Sequence, residues 1–224
     1  MAGAFPAHRP AATLRATVAL TPFDIAPATG PLPAAVVAFL AAAQAQIDSY
    51  FAEAGHRSGH GFIPSDHELV YRTLRTLLQQ HRGVRRFCEW GSGFGVVTGL
   101  AALLGCEVHG IELDPQLVAA SRVLLADHGL DAEIVQGSLI PEDYARSEQL
   151  SDLETRTVLS AADAYGSMEL AIDDFELIFA YPWPTEEEQY CDLFDRYADY
   201  DAVLLTFSRT EGMRAYRKVG KTQR

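Results

Sequence analysis

The sequence predicts an α/β protein built on a doubly wound, mostly parallel sheet with helices on both faces. Three observations predict it. Short apolar runs with little period-two alternation recur at 86–90, 107–112, 132–136, 176–181 and 202–207, as expected of strands covered on both sides. Helix-like segments with start and stop signals separate most of them. The first two runs are joined by a glycine-rich turn and a helix, and the second ends on an acid, Glu112. A strand, a glycine loop, a helix, a strand and an acid, in that order, make a nucleotide-binding half-sheet.

Residues 1–32 are rich in Ala, Pro and Thr without a steady period, and read as an extended or partly disordered arm. Pro33 opens a helix to about Ala54, stopped by Gly55, with Val36, Val37, Leu40, Ile47 and Phe51 on an apolar side. That helix is expected to cover the sheet or the mouth of the site. The loop 55–64 carries three glycines, and its His56 and His60 stand near Asp66 and His67. Their spacing matches no standard ligand pattern, so no metal is expected. Ser65 and Glu68 have capping-box spacing, opening a helix to about Gln80 with Leu69, Leu74, Leu77 and Leu78 on the buried side. Residues 33–83 therefore form an N-terminal helical cap, and 84–224 the nucleotide-binding domain.

The core unit begins with a strand at Arg86–Trp90. A helix follows from Val96 to Leu104, stopped by Gly105, and the next strand is Glu107–Glu112. Asp114 caps the next helix, Pro115 takes its first position and Gly129 ends it, before a strand at Ala132–Gln136. Residues 141–175 hold nine acids against Arg146 and Arg156. They read either as one or two solvated helices or as an acidic lid that selects a cationic substrate. A strand at Glu176–Tyr181 runs into Pro182-Trp183-Pro184. Thr185 and Glu188 have capping-box spacing for a helix through Tyr197, and Ala202–Phe207 is the next strand. Residues 213–219 add one strand at most, so the C-terminal edge is expected to be truncated or completed by a second subunit of a homo-oligomer. The basic residues from Arg209 onward read as a solvated tail.

The glycine loop states its own chemistry. A loop passing close under a ligand cannot carry Cβ atoms, and the helix after it aims free N–H groups at the ligand. Glu112, seventeen residues after Gly95, can accept the hydroxyls of a ribose. Gly91, Gly93 and Gly95 depart from the dinucleotide pattern, with Val96 where the third glycine would fall. That glycine permits tight packing beneath a pyrophosphate, so an adenosine without pyrophosphate fits better.

Glu89-x-Gly91-x-Gly93-x-Gly95 followed by Glu112 resembles the first two motifs of class I S-adenosylmethionine-dependent methyltransferases. The wording Glu-Trp-Gly-Ser-Gly-Phe-Gly-Val is near that of Dot1-like protein lysine methyltransferases and uncharacterised bacterial relatives. The resemblance covers roughly 62–207 and implies a Rossmann-like sheet with S-adenosyl-L-methionine as cofactor. It assigns the cofactor loop to Glu89, Trp90, Gly91, Ser92, Gly93 and Gly95, and the ribose to Glu112. Leu113 would pack on the adenine. Gly137 and Ser138 would lie at its amino group, where Ser138 replaces the common Asp. Phe62, Ser65 and Asp66 would close over the methionine end. Tyr181-Pro182-Trp183 falls where amino-methylating relatives carry Asn/Asp-Pro-Pro-aromatic; it keeps a proline and an aromatic and lacks the Asn or Asp. Tyr181, Pro182, Trp183 and Asp66 are thus the candidate catalytic residues, Asp66 or Tyr181 assisting loss of a proton from the acceptor.

The implied activity is methyl transfer to an amine, or another nucleophile, of a protein or small molecule. Two rivals stay open. One is a catalytically silent binding module on the same fold. The other is an NAD(P)-dependent oxidoreductase, disfavoured by the misplaced glycine and the lack of a Ser/Tyr-Lys set. The net charge of −12 argues against a nucleic-acid partner and favours a small molecule or a cationic protein target. Three cysteines without C-x-x-C suggest a reducing compartment. No run of 18 apolar residues is present, so no membrane span is expected and the protein reads as cytoplasmic.

Overall fold

The computed structural model of the chain describes residues 20–54, 62–141, 143–144 and 162–220. The first strand is β1 (Leu20–Phe23). Two helices follow, α1 (Ala34–Ala54) and α2 (His67–Gln80). The half-sheet is then laid down as β2 (Arg86–Trp90), α3 (Val96–Leu103), β3 (Glu107–Glu112), α4 (Pro115–Asp127) and β4 (Glu133–Gln136). The short helix α5 (Ala164–Met168) precedes β5 (Leu177–Ala180). Helix α6 (Glu187–Tyr197), β6 (Val203–Ser208) and β7 (Gly212–Lys218) complete the order.

These strands form one seven-stranded sheet in the order β1-β7-β6-β5-β2-β3-β4. The five strands from β6 to β4 are mutually parallel, β7 is antiparallel to β6, and β1 is antiparallel to β7. The doubly wound, mostly parallel sheet expected of the sequence is therefore the fold. Strand order reverses between β2 and β5, where open α/β sheets form a ligand crevice at the carboxyl ends of the strands.

The lack of alternation in the strands has a direct cause. Cys88 and Trp90 join Ile178, Leu204, Tyr165 and Phe194 on one face. Phe87 joins Val108, Leu177, Leu205, Leu74 and Val97 on the other. Successive side chains point to opposite faces and both faces are covered, so apolar residues fall at both odd and even positions. A third cluster seats α1 through Val36, Phe39, Ala43 and Ile47 against α3 and α4. The stretch Ala34–Ala52 within α1 is long and apolar enough to cross a membrane by length and composition, and this side of it lies in the interior.

Four sequence expectations are corrected. The C-terminal edge is not truncated: β7 pairs with β6, and β1 completes the sheet from the same chain. Residues 20–32, assigned to the arm, are tied down. Leu20 pairs with Lys218 and Phe23 with Ala215, while Arg72 Nη1 donates to the carbonyls of Ala28 and Gly30 at 3.0 and 2.9 Å. Residues 1–19 lie outside the described residues. Nor are Arg214, Arg217 and Lys218 of the basic segment a solvated tail; Arg209 is exposed, and Lys221 and Arg224 lie outside the described residues. Arg214 pairs with Glu187 and Glu211, Arg217 lies over the Phe23 ring, and Lys218 is 2% exposed. Finally, two helix starts shift. Asp66 rather than Ser65 caps α2, and α6 begins at Glu187, after a turn in which Glu186 N–H donates to the Trp183 carbonyl. Most of the acidic segment 141–175 lies outside the described residues. Of its described acids, Asp163 caps α5, and Asp174 accepts the Ala171 N–H.

Candidate functional site

The glycine loop leaves the end of β2 and enters α3. The Gly91 and Ser92 N–H groups both donate to the Ile111 carbonyl at 2.9 Å, which ties the loop to β3. Gly91, Gly93 and Gly95 all take left-handed backbone, with φ of +76°, +52° and +68°. At Gly91 a Cβ would meet nothing, because the space above it is the cavity; at Gly93 it would stand 2.5 Å from the Phe62 ring. Glycine at 91 thus leaves room for a ligand, and glycine at 93 admits a lid residue. Among the described residues the Ser92 hydroxyl is buried without a hydrogen-bond partner, and it lies against β3, where a Cβ built at Gly110 would stand 3.0 Å from it.

Two carboxylates flank this loop. Glu112, at the tip of β3, accepts the Leu113 and Asp114 N–H groups on Oε1 at 2.8 and 2.9 Å, and the Gly93 N–H on Oε2 at 2.7 Å. A carboxylate offers about four lone-pair positions, so one on Oε2 remains for a ligand hydroxyl. Glu89 sits at the base of the loop, 5% exposed. Its Oε2 accepts the Thr98 N–H at 2.8 Å and the Thr98 hydroxyl at 2.6 Å. Burial pushes its pKa up to about 8 against the opposing pull of those two bonds, with the nearby Glu112 charge adding to the rise.

Both carboxylates face one cavity of about 1150 Å³ at the switch point. This exceeds the range usual for one drug-sized ligand, roughly 300–1,000 Å³. At one end Glu112, Ile111, Leu113, Leu117, Gly137 and Leu139 surround an apolar slot. Tyr50 and Phe51 of α1, with Phe62, Ile63, Pro64 and Ser65, form the roof. Burial first, and then the Asp114 and Glu112 charges, push the Tyr50 hydroxyl pKa up. At the other end stand Tyr181, Pro182, Trp183 and Phe207, with Glu187, Tyr190 and the turn Ser208–Thr210 after β6. The Tyr181 and Phe207 rings meet edge to face at 4.9 Å. His67, the first residue of α2, lines the same space. Burial lowers its pKa to about 4 against the pull of Asp66, so the imidazole is neutral at neutral pH.

Of the residues expected at the site, Glu89, Trp90, Gly91, Ser92, Glu112, Leu113, Gly137, Tyr181, Pro182 and Trp183 line the cavity. Gly93 and Gly95 lie behind its wall, shaping the loop. Asp66 and Ser138 do not line it. The Asp66 carboxylate accepts the Leu69 N–H at 3.0 Å as the cap of α2. Ser138 is buried, with its hydroxyl accepting the Ile140 N–H at 3.0 Å. Sequence reasoning missed Tyr50, Glu187, Tyr190, Phe207 and Arg209, and weighed His67 only as a metal ligand. The expected closure by Phe62 and Ser65 and the apolar side of the helix at 33–54 both point at the roof; the others converge through the fold. Among the described residues no group of three or more His, Cys, Asp or Glu is placed to hold a metal.

No family model matches the chain, and no curated protein matches it. Solved structures resemble it distantly. An RNA methyltransferase from Salinibacter ruber in complex with S-adenosyl-L-homocysteine is 14% identical over 72% of this chain and 97% of its own, with a TM-score of 0.48. An O-methyltransferase from Bacillus cereus in complex with the same compound is 15% identical over 79% of this chain and 66% of its own, at 0.47. A putative O-methyltransferase from Klebsiella pneumoniae has the same identity, coverage and score. These are distant likenesses of architecture; the fold described above rests on the strand pairing itself.

Proposed function

We propose that the protein is a class I S-adenosylmethionine-dependent methyltransferase acting on an amine or hydroxyl of a small molecule. The observation that carries the proposal is the junction of β2 and β3. There the open face of Gly91 and the Glu112 carboxylate meet in one cavity at the switch point. These residues fit an adenosyl cofactor. Glu112 has an acceptor position for a ribose hydroxyl, and Ile111, Leu113 and Leu117 offer an apolar lining for a base. The cofactor, when bound, supplies an electrophilic methyl on a sulfonium. The chain's part is to position the acceptor and exclude water, which can contribute several kcal/mol without a general base. Glu89 can meet a cationic group of the ligand, and Tyr181, Trp183 and Phe207 offer aromatic faces that stabilise positive charge. His67, neutral above about pH 4, can accept a hydrogen bond from the acceptor. The likeness of Glu89–Val96 to Dot1-like lysine methyltransferases rests on that loop alone. The net charge of −12 disfavours a nucleic-acid acceptor.

Calorimetric titration with S-adenosylhomocysteine, NAD and NADP tests the reading. Micromolar binding of the first alone is expected, weakened at least tenfold (about 1.4 kcal/mol) by Glu112→Ala. Binding of NAD instead would make the chain an oxidoreductase. Binding of none would leave a module that acts without this cofactor.

A further inference from the structure

We infer that the acceptor is a small aromatic acid, and that Arg209 is the counter-ion for its carboxylate. The inference rests on the methyl-transfer reading and concerns the end of the cavity away from Glu112. That end is lined by Tyr181, Trp183 and Phe207, aromatic side chains against which a flat ring can pack. Its charges are unequal in availability. Glu187 is already engaged: the Arg214 guanidinium donates to it at 2.9 Å and the Tyr216 hydroxyl at 3.3 Å. His67 is neutral. Arg209 lines the rim, is exposed, and makes no hydrogen bond or ion pair with a described residue.

The uncommitted charge at this end is therefore a cation on a planar fork, which matches a carboxylate with two parallel hydrogen bonds. The Ser208 and Thr210 hydroxyls beside it hydrogen-bond each other at 2.9 Å, which leaves one hydroxyl proton between them to donate to a ligand. The overall charge of −12 repels an anion at long range, but that field is screened within about 8 Å at physiological salt, so the local pair decides. One of the two readings of the acidic segment 141–175 is a lid for a cationic substrate; residues 142 and 145–161 of it lie outside the described residues, and the described wall favours the opposite sign.

The test uses the full chain saturated with S-adenosylhomocysteine, titrated with 4-hydroxybenzoate, 4-hydroxybenzamide and 4-hydroxybenzylamine. The benzoate should bind at least tenfold more tightly than the amide. Arg209→Gln should abolish that preference while leaving S-adenosylhomocysteine affinity unchanged. Equal binding of acid and amide, tighter binding of the amine, no saturable binding of any of the three, or a preference that survives Arg209→Gln would each overturn the inference. Failure of S-adenosylhomocysteine itself to bind would instead strike the methyltransferase reading.

Discussion

Asp66 shows how a residue's type can suit two roles and its geometry only one. A carboxylate before a helix near the site suited proton transfer from an acceptor. In the structure it accepts the Leu69 N–H and stays outside the cavity, while the next residue, His67, lines it. The α2 N-terminus has free N–H groups that must be satisfied, and Asp66 is the residue placed to do it. Asp66→Ala should therefore lower stability by about 1 kcal/mol, seen as a shift in the denaturation midpoint. It should leave S-adenosylhomocysteine affinity within twofold. A large loss of affinity with unchanged stability would return Asp66 to the site.

Among the elements, β1 changes the picture of the molecule most. Only four residues long, it pairs with β7 from Leu20↔Lys218 to Phe23↔Ala215. It carries Pro22, which lacks a backbone donor and is tolerated on an edge strand. Phe23 holds it in place: Arg217 lies over its ring at 5.2 Å and His81 meets it edge to face at 5.9 Å. Arg217 belongs to β7 and His81 to the end of α2, so one aromatic ring joins three elements. Phe23→Ala should cost on the order of 1–3 kcal/mol, because it removes half-buried apolar area and a cation–π contact together. Hydrogen exchange should quicken in β1 and β7 while β2 and β3 stay protected.

For the whole molecule, the buried Glu89 sets a pH dependence of stability. Its folded pKa of about 8 lies above the ordinary value of 4.5 that it regains on unfolding. Between these values the folded state binds the extra proton, so stability falls as pH rises through that window and levels off above it. The upper bound is roughly 4–5 kcal/mol, at about 1.4 kcal/mol for each pH unit between the two values. His67, with a folded pKa of about 4 against an ordinary 6.5, contributes the opposite slope below pH 6.5 and offsets Glu89 there. Melting temperature should therefore drop between pH 6.5 and 8.5, and Glu89→Gln should flatten that slope. An equally steep slope in the variant would assign the dependence to other groups. The same burial that costs stability keeps a carboxyl ready to ionise beside a cationic ligand.

The sequence by itself determined the parallel half-sheet, the glycine loop and the acid at the tip of β3. Each is written in a short window: apolar runs covered on both faces, glycines at alternate positions of one turn, and Glu112 at a strand end. Local sterics and burial period set such features, and both are legible in neighbouring residues. Tertiary structure decided the rest. That residues 20–23 complete the sheet depends on pairing with a strand nearly 200 positions later. That Tyr50, His67, Phe207 and Arg209 share one cavity depends on α1, α2 and the β6–β7 turn converging over the same strand ends. Whether a carboxylate caps, as Asp66 does, or stands buried beside a loop, as Glu89 does, is set by the groups that reach it in space. Long-range contacts carry no local period, so the chain alone names the residues and the fold assigns them their work.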